Sequence, residues 1–309
     1  MIHPKISHEV EALVGPITNV VGVGGGCISN ASRIEAAGNS FFLKWSGGDA
    51  GCTFEAEAAG LKALRGSGRG LVIPEVFAAR NSAAQAGPRA GLDPQQGLEP
   101  RPSLDQDIGF ILMEWIGEGR KGRDFWPRLG TALADLHRHP GSSFGFESDN
   151  YIGRIEQING FVDNWADFFL SNRLEFQRER ARDLGRWRSH WDLHFDRLAA
   201  RLPDILPGTP AASLVHGDLW AGNVIATASG APVLVDPAAH YAHREVDLAM
   251  SELFGGFPNS FYRSYDETWP IEPGYQYRRD IYNLYHLINH LNHFGQSYAS
   301  QVDGILQAF

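Results

Sequence analysis

The chain has 309 residues, a formal net charge of −9 and two cysteines, and 43% of its residues are apolar. This length is enough for one large domain or two closely joined ones, and the acidic balance argues against a nucleic-acid or anionic-membrane partner. Two cysteines cannot form a disulfide framework, and no stretch approaches the ~18 apolar residues of a membrane span. We therefore expect a globular cytoplasmic protein, with its oligomeric state left open.

The first half of the chain has the pattern of strands and turns around one helix. Short β-branched and aromatic runs predict strands at residues 19–24, 32–36, 40–45, 75–79 and 108–115. Apolar residues at helical spacing predict a helix at residues 53–64, with Thr53 as its N-cap. Residues 81–107 contain four prolines and no aromatic or β-branched residue, which predicts an exposed insertion loop. A substrate lid and a tolerated insertion both fit that loop.

The second half has mainly helical periodicity. Helices are predicted at residues 125–137, 160–182, 187–202, 244–254 and 277–294, with short apolar strands at 213–215, 224–226 and 232–235. The sequence therefore predicts an α+β protein with two lobes. Residues 1–116 would form a glycine-rich, nucleotide-binding β lobe, and residues 117–309 a helical lobe that carries the catalytic and substrate-binding groups.

Three polar residues follow short apolar strands at a spacing that suits phosphoryl transfer. Asp218 follows an apolar strand, within His216-Gly217-Asp218, and Asn223 comes five residues later. Asp236 directly follows the apolar strand at residues 233–235. Transfer from ATP needs a carboxylate that orients the acceptor hydroxyl and takes its proton, and carboxylate and amide oxygens that hold magnesium. Asp218 fits the first role, and Asn223 and Asp236 fit the second. The alternative is that Asp218 and Asn223 only satisfy turn backbone.

A glycine cluster, a strand lysine and a helix glutamate precede these residues. Gly24, Gly25 and Gly26 lie between two predicted strands, where backbone N–H groups can approach phosphates closely. Lys44 lies in an apolar strand, and Glu57 follows on the next helix. A lysine on the phosphates, braced by a helix glutamate, is the arrangement of protein kinases. The order of loop, lysine, glutamate, base, asparagine and aspartate strengthens signals that are weak one by one.

With these motifs in place, the sequence resembles the fructosamine/ketosamine kinase family, within the larger group that includes aminoglycoside and choline phosphotransferases. The motifs that carry the resemblance span nearly the whole chain outside residues 81–107. They are Gly24-Gly25-Gly26-Cys27-Ile28-Ser29, Phe54-Glu55-Ala56-Glu57, His216-Gly217-Asp218-Leu219-Trp220-Ala221-Gly222-Asn223, Asp236-Pro237-Ala238, Asp149-Asn150-Tyr151-Ile152-Gly153, Arg173-Leu174, Phe254-Gly255-Gly256-Phe257-Pro258 and Asn289-His290-Leu291-Asn292-His293-Phe294-Gly295.

The resemblance implies a protein-kinase-like fold and an enzyme that uses ATP and Mg²⁺ to phosphorylate the sugar 3-hydroxyl of ketosamines on lysine side chains or free amines. Such 3-phosphates are unstable, which implies a role in deglycation. By the same resemblance, a hinge contacts adenine, three residues contact the acceptor, and two support the catalytic loop. The hinge residues are Met113, Glu114, Trp115 and Ile116; the acceptor residues are Trp220, Asn150 and His290; the supporting residues are His216 and Asp247.

Other readings of the sequence are weaker. Residues 141–145 match G-x-S-x-G, but neither the strand nor the helix that a nucleophile elbow needs flanks them. His286, His290 and His293 share a helix face that could bind zinc, although an aromatic core face fits them better. Cys27 could be a reactive thiol or a small residue in a tight turn. A kinase for another small alcohol, or an inactive nucleotide-binding regulator, remains as an alternative function.

Overall fold

The computed structural model describes residues 2–24, 29–67, 70–82 and 108–309. The chain divides into two compact units, one made of Met1–Ala59 and Pro74–Ile116 and the other of Gly60–Ile73 and Gly117–Phe309. Gly25, Gly26, Cys27 and residues 83–107 of the expected insertion loop lie outside the described residues.

The first unit is built on a five-stranded antiparallel sheet with the order β1-β2-β3-β5-β4. Residues alternate between core and surface along the central strands, and the buried Ile34 and Leu43 pack with Ile6 and Val10 of the first helix. Its elements are α1 (Pro4–Val14), β1 (Ile17–Gly22), β2 (Asn30–Ala36), β3 (Asn39–Gly47), β4 (Val76–Arg80) and β5 (Ile108–Glu114).

Helix α2 (Phe54–Ser67) spans the division between the units in sequence. Its residues from Gly60 onward, with the segment that follows, belong to the second unit, whereas the sequence placed residues 60–73 in the β lobe. The reason is local pairing within the second unit, since Val72 forms a parallel bridge with Val233 and Pro237 lies against Gly60.

The second unit is mainly helical, with three short antiparallel strand pairs: β6 with β7, β8 with β11, and β9 with β10. A large core of aromatic and aliphatic side chains holds the helices together. The helices are α3 (Phe125–His137), α4 (Trp165–Phe168), α5 (Phe176–Asp183), α6 (Trp191–Ile205), α7 (Glu245–Leu253), α8 (Asn259–Thr268), α9 (Tyr275–Phe294) and α10 (Ala299–Leu306). The strands are β6 (Asn150–Ile152), β7 (Ile155–Gln157), β8 (Ala212–Val215), β9 (Val224–Ala226), β10 (Pro232–Leu234) and β11 (His240–His243).

The helix predicted at residues 160–182 is not one regular helix. It begins at Trp165, and a π-helical segment, Phe169–Glu175, separates α4 from α5. Such segments are rare and are frequently found at functional sites. In the part of the chain that the structure describes, no helix combines the length and the apolar character needed to cross a bilayer.

Candidate active site

The candidate catalytic segment, residues 216–223 of the second unit, begins where β8 ends. Gly217 has φ = +82°, and a Cβ atom there would lie 2.1 Å from the carbonyl oxygen of Ala238. Glycine is therefore required on two grounds, the left-handed backbone and the missing side chain. This close approach packs the His216-Gly217-Asp218 turn directly on the segment that follows Asp236.

Asn223 is oriented by Asp218. Its Nδ2 donates to the backbone oxygen of Asp218 at 2.9 Å and to the Asp218 Oδ2 at 3.1 Å. Because the amide nitrogen is used in this way, the side-chain oxygen Oδ1 faces elsewhere, and no donor among the described residues bonds to it. An oxygen held in this way suits a hard cation such as Mg²⁺.

The Asp218 carboxyl has an altered affinity for protons. Burial raises its pKa to about 7; the hydrogen bond from Asn223 lowers it, and the charges of Asp236 and Asp247 raise it. A carboxylate whose pKa lies near neutral pH can accept a proton from a substrate hydroxyl and release it again.

Asp236 lies two residues after the end of β10 and has a strained backbone, with φ = +54°. A non-glycine residue in this region is uncommon and persists only where surrounding contacts fix it. The amide of Val235 donates to the Asn223 backbone oxygen at 3.1 Å, so Asn223 and the approach to Asp236 are tied together. Two oxygen-bearing side chains thus stand close to the candidate base in one strand pair and its flanks.

The Asp247 carboxylate accepts hydrogen bonds from the backbone at the start of the catalytic segment. Its Oδ2 accepts from the amide of His216 at 2.7 Å, and its Oδ1 accepts from the amide of Gly217 at 2.8 Å. The buried His137 lies 3.1 Å from the same Oδ2, and its other ring nitrogen lies 2.8 Å from the Tyr265 hydroxyl. Burial alone would raise the pKa of Asp247, but its contacts with His137 and His216 together hold the pKa below its ordinary value.

The His216 ring is hydrogen-bonded both to the backbone just before Asp236 and to the turn that carries Asp218. Its Nε2 lies 3.0 Å from the backbone oxygen of Val235, and its Nδ1 accepts from the amide of Asp218 at 3.3 Å. These two bonds select the Nε2–H tautomer, and burial lowers the pKa of the ring. The geometry agrees with the supporting positions expected for His216 and Asp247, while their roles in catalysis stay predictions.

Lys44 and Glu57 form an ion pair in the first unit. Lys44 Nζ donates to both carboxylate oxygens of Glu57, at 2.9 and 3.0 Å. Lys44 sits in the middle of the sheet, opposite Ala31 on β2 and Ile111 on β5. Both side chains are mostly buried, with 16% and 13% of their surfaces exposed, so the pair is better fixed than a surface ion pair.

The expected glycine loop is described only in part. Gly24 follows β1, and no atom of the other described residues lies within 4 Å of the position that a Cβ would take there. Gly25 and Gly26 lie outside the described residues. Contact of this loop with phosphate remains a prediction.

The expected hinge begins at the end of β5. Met113 is buried in the sheet, and the amide of Glu114 donates to the Glu75 backbone oxygen at 2.8 Å. The ring of Trp115 stacks on that of Phe42, with the two ring centroids 6.2 Å apart. Ile116 is partly buried and ends the first unit. Adenine binding by these four residues is a prediction.

The three expected acceptor residues differ in accessibility. Trp220 is 41% exposed, and its ring lies directly over Gly222, where a Cβ would be 2.2 Å from the indole. His290 is partly buried, with its Nδ1 2.8 Å from the His286 oxygen and its ring 4.9 Å from that of Phe254. Asn150 is 4% exposed, and both ends of its amide are bonded within the second unit.

The helix α9 histidines are used locally. His290 bonds to the His286 backbone, and His293 Nε2 lies 3.1 Å from the Ile152 oxygen. Among the described residues, no group of three or more His, Cys, Asp or Glu is arranged to hold a metal ion. An asparagine and an aspartate such as Asn223 and Asp236 would not form such a cage but would suit Mg²⁺, which takes one or two protein ligands with substrate phosphates.

Sequence reasoning missed His137 and Tyr265. His137 is the last residue of α3, and 110 residues separate it from Asp247. Nothing local in the sequence distinguishes it from a solvent-exposed histidine at a helix end, so only the folded structure reveals its contacts with Asp247 on α7 and Tyr265 on α8.

Comparison with known proteins agrees with this geometry. The family model for fructosamine kinase matches residues 3–309. A Synechocystis protein assigned as a ketoamine kinase is 36% identical over 92% of this chain and 88% of its own length. The chloroplastic protein-ribulosamine 3-kinase of Arabidopsis thaliana is 35% identical over 95% of this chain and 83% of its own length.

Solved structures show the fold. A Thermobifida fusca protein assigned as a fructosamine-3-kinase superimposes with a TM-score of 0.82 at 27% identity, covering 100% of this chain and 99% of its own. An aminoglycoside phosphotransferase in complex with AMP-PNP and hygromycin B gives 0.63 at 14% identity, over 98% of both chains. The expected protein-kinase-like α+β fold is confirmed. The chain therefore belongs to the fructosamine kinase family, a group of ATP-dependent phosphotransferases.

Proposed function

We propose that this kinase transfers the γ-phosphoryl group of ATP to the 3-hydroxyl of a ketosamine, with Mg²⁺ bound by Asn223 and Asp236. The observation that carries the proposal is the 3.1 Å hydrogen bond from Asn223 to the Asp218 carboxylate, which orients a base and an amide oxygen together. The names of the ketoamine and ribulosamine kinases that the chain resembles support the acceptor class.

Asp218 is the proposed base. Its carboxylate accepts the hydroxyl proton while the hydroxyl oxygen bonds to the γ-phosphorus and the bridging P–O bond to ADP breaks. Because the transition state of phosphoryl transfer is loose, orientation of the hydroxyl contributes more than proton removal. The Asn223 hydrogen bond and the fixed backbone at Gly217 supply that orientation.

Asn223 and Asp236 are the proposed metal ligands. Bound Mg²⁺ supplies charge neutralisation on the phosphate oxygens. The Asn223 amide bonded to Asp218 presents Oδ1 outward, and the positive φ of Asp236 sets the direction in which its side chain leaves the backbone. Both features favour oxygen ligands at fixed positions.

The first unit supplies the proposed phosphate-positioning groups. Lys44, braced by Glu57, would neutralise the α- and β-phosphates, and Gly24, Gly25 and Gly26 would cover them with backbone N–H groups. Lys44, Glu57, Asp218, Asn223 and Asp236 are all present, which argues against an inactive regulator, because inactive relatives of kinases usually lose one member of this set.

The acceptor contacts are also proposals. The exposed indole of Trp220, two residues after the base, would pack on the sugar or on its amine-bearing arm, and His290 would line the same region. We place the reaction in the cytoplasm, where breakdown of the unstable 3-phosphate would remove sugar from amines.

An acceptor panel tests the proposal. ATP consumption would be measured with ribulosamines, fructosamines, choline and aminoglycosides, in Mg²⁺ and after its removal by EDTA. We expect turnover on a ketosamine in Mg²⁺ only. Turnover on choline or an aminoglycoside, with none on any ketosamine, would overturn the acceptor assignment and leave the fold and the family unchanged.

A further inference from the structure

A buried arginine of the second unit has none of the roles proposed above. Arg173 lies in the π-helical segment and is 1% exposed, and no carboxylate among the described residues lies within ion-pair distance. Its guanidinium donates to the Ile158 oxygen at 2.6 Å and to Asn159 Oδ1 at 2.7 Å, and it lies 4.6 Å from the Phe168 ring. Burying an unpaired cation is costly, so these contacts must hold it closely.

A relay of amide groups leads from Arg173 toward the catalytic segment. Asn159 Nδ2 donates to Asn150 Oδ1 at 2.8 Å, and Asn150 Nδ2 donates to the Ala239 oxygen at 2.8 Å. Gln157 Nε2 donates to the same Asn150 Oδ1 at 2.8 Å and to the Ala238 oxygen at 3.2 Å. Gln157 Nε2 and Asn159 Nδ2 each donate to two acceptors, so the hydrogen bonds fix the orientation of these amides.

The relay ends on the segment that follows Asp236. The two carbonyl groups it holds belong to Ala238 and Ala239, and the Ala238 amide donates to the His216 oxygen at 2.9 Å. Asp236 itself has the strained φ of +54°, which requires support from its surroundings. The same segment therefore fixes both the proposed metal ligand and the turn that carries the base.

We propose that Arg173 is a positioning residue that, through Asn159, Asn150 and Gln157, holds Asp236 in the orientation that binds the metal. This inference rests on the metal role proposed for Asp236. It gives Asn150 a task different from acceptor contact, because both ends of its amide belong to the relay. Burial lowers the pKa of Arg173 to about 10, so the guanidinium remains charged at neutral pH and keeps its donors.

The first test removes the guanidinium fork and keeps the charge. Two different nitrogens of the guanidinium bond to Ile158 and Asn159, and the single nitrogen of lysine in Arg173→Lys does not reproduce that planar geometry, so we expect the relay to loosen. Binding of Mn²⁺ in the presence of ADP would be followed by the paramagnetic resonance of free Mn²⁺. We expect roughly tenfold weaker binding, and kcat lower by roughly 10–100-fold with the acceptor KM within about twofold.

A second variant separates positioning from packing. Asn159→Asp gives Arg173 a carboxylate partner but sets a second acceptor against Asn150 Oδ1. Repulsion between the two oxygens then displaces the Asn150 amide, which weakens its bond to the Ala239 oxygen. A merely structural arginine predicts unchanged metal binding in this variant; the relay predicts the same loss as in Arg173→Lys. If Arg173→Lys does not fold, Asn159→Asp decides.

The matched control is Asn292→Ala. Asn292 is 5% exposed, and its amide donates to Gln177 at 2.8 and 2.9 Å and not to a residue of the relay. We expect it to lower the melting temperature without changing metal binding; an equal loss of metal binding there would overturn the inference.

Asp236→Asn separates the two proposals. Normal Mn²⁺ binding in that variant would overturn the metal site and this inference with it. Loss of Mn²⁺ binding in Asp236→Asn, with normal binding in Arg173→Lys and Asn159→Asp, would overturn this inference and leave the proposed metal site unchanged.

Discussion

Gly217 is the residue at which backbone and packing constrain the catalytic segment most severely. Its φ is +82°, and the Ala238 oxygen occupies the space of a side chain. Gly38 provides a contrast, because its φ of +79° is similar while no atom lies within 4 Å of its missing Cβ. Comparing the two positions separates backbone strain from steric overlap.

We predict that Gly38→Ala lowers the free energy of unfolding by about 1–2 kcal/mol, the cost of the left-handed backbone alone. Gly217→Ala adds an overlap with backbone, which brings ~1–3 kcal/mol more. Urea unfolding of both variants measures the difference. Equal losses would show that the segment after Asp236 moves aside freely, which the account does not allow.

The base assignment gives a second residue-scale prediction. Asp218→Asn keeps the shape of the side chain and removes its ability to accept a proton. We expect kcat to fall by roughly 10²–10⁴ and ATP affinity, measured by calorimetry, to change little. Near-normal turnover on the best acceptor would show that another group is the base.

Sequence spacing predicted the site where the residues are close along the chain. Asp218, Asn223 and Asp236 belong to one strand pair and its flanks, so their spacing determines their proximity. Asn150 and His137 act over distances of 89 and 110 residues. Their partners depend on tertiary packing, which no local pattern encodes, and the expectation that Asn150 contacts the acceptor came from resemblance alone.

Elements with clear periodicity were predicted, as were the short apolar strands β8, β9 and β10, whereas α1, α8, β6, β7 and β11 were missed. The central strands and α3, α7 and α9 lie within a few residues of the predicted bounds. Helix α1 has no side-chain N-cap bond, β6, β7 and β11 have three or four residues, and the apolar positions of α8 are widely spaced. Such elements exist because tertiary contacts support them, so propensity alone does not reveal them.

The elements around the catalytic segment bury several histidines. His240 and His243 lie on β11 and His286 on α9, and each is less than 5% exposed. Burial is the largest cause that lowers the pKa of each ring to about 3. The folded protein therefore keeps these rings neutral under conditions in which the unfolded chain binds protons.

These buried histidines make the folded protein less stable as the pH falls. Between pH ~6.5 and ~3 the unfolded chain binds more protons, so the free energy of unfolding falls as pH falls, by up to about 1.4 kcal/mol per pH unit for each ring. Above pH ~6.5 these rings contribute no slope. Urea unfolding at several pH values tests this. His286→Leu should make the acid slope shallower and leave the slope above pH 7 unchanged; an unaltered acid slope would contradict the account.

At the scale of the whole molecule, the acidic surplus of the chain has a partial explanation. Glu57, Asp218, Asp236 and Asp247 are carboxylates that the proposed chemistry uses, and hydrogen bonds hold Glu57, Asp218 and Asp247. Lys44 with Glu57 lies in one compact unit and the catalytic segment in the other. Each unit thus carries one part of a kinase mechanism in a form that its own packing stabilises.

The central claim is that the phosphoryl group reaches the 3-hydroxyl of a ketosamine. The most direct measurement is ³¹P nuclear magnetic resonance of the product formed from ATP, Mg²⁺ and a ribulosamine or fructosamine of lysine. The account predicts a phosphomonoester resonance coupled to the proton on carbon 3, absent with Asp218→Asn. A phosphate coupled to protons at another carbon, or inorganic phosphate released at the same rate without the acceptor, would contradict it.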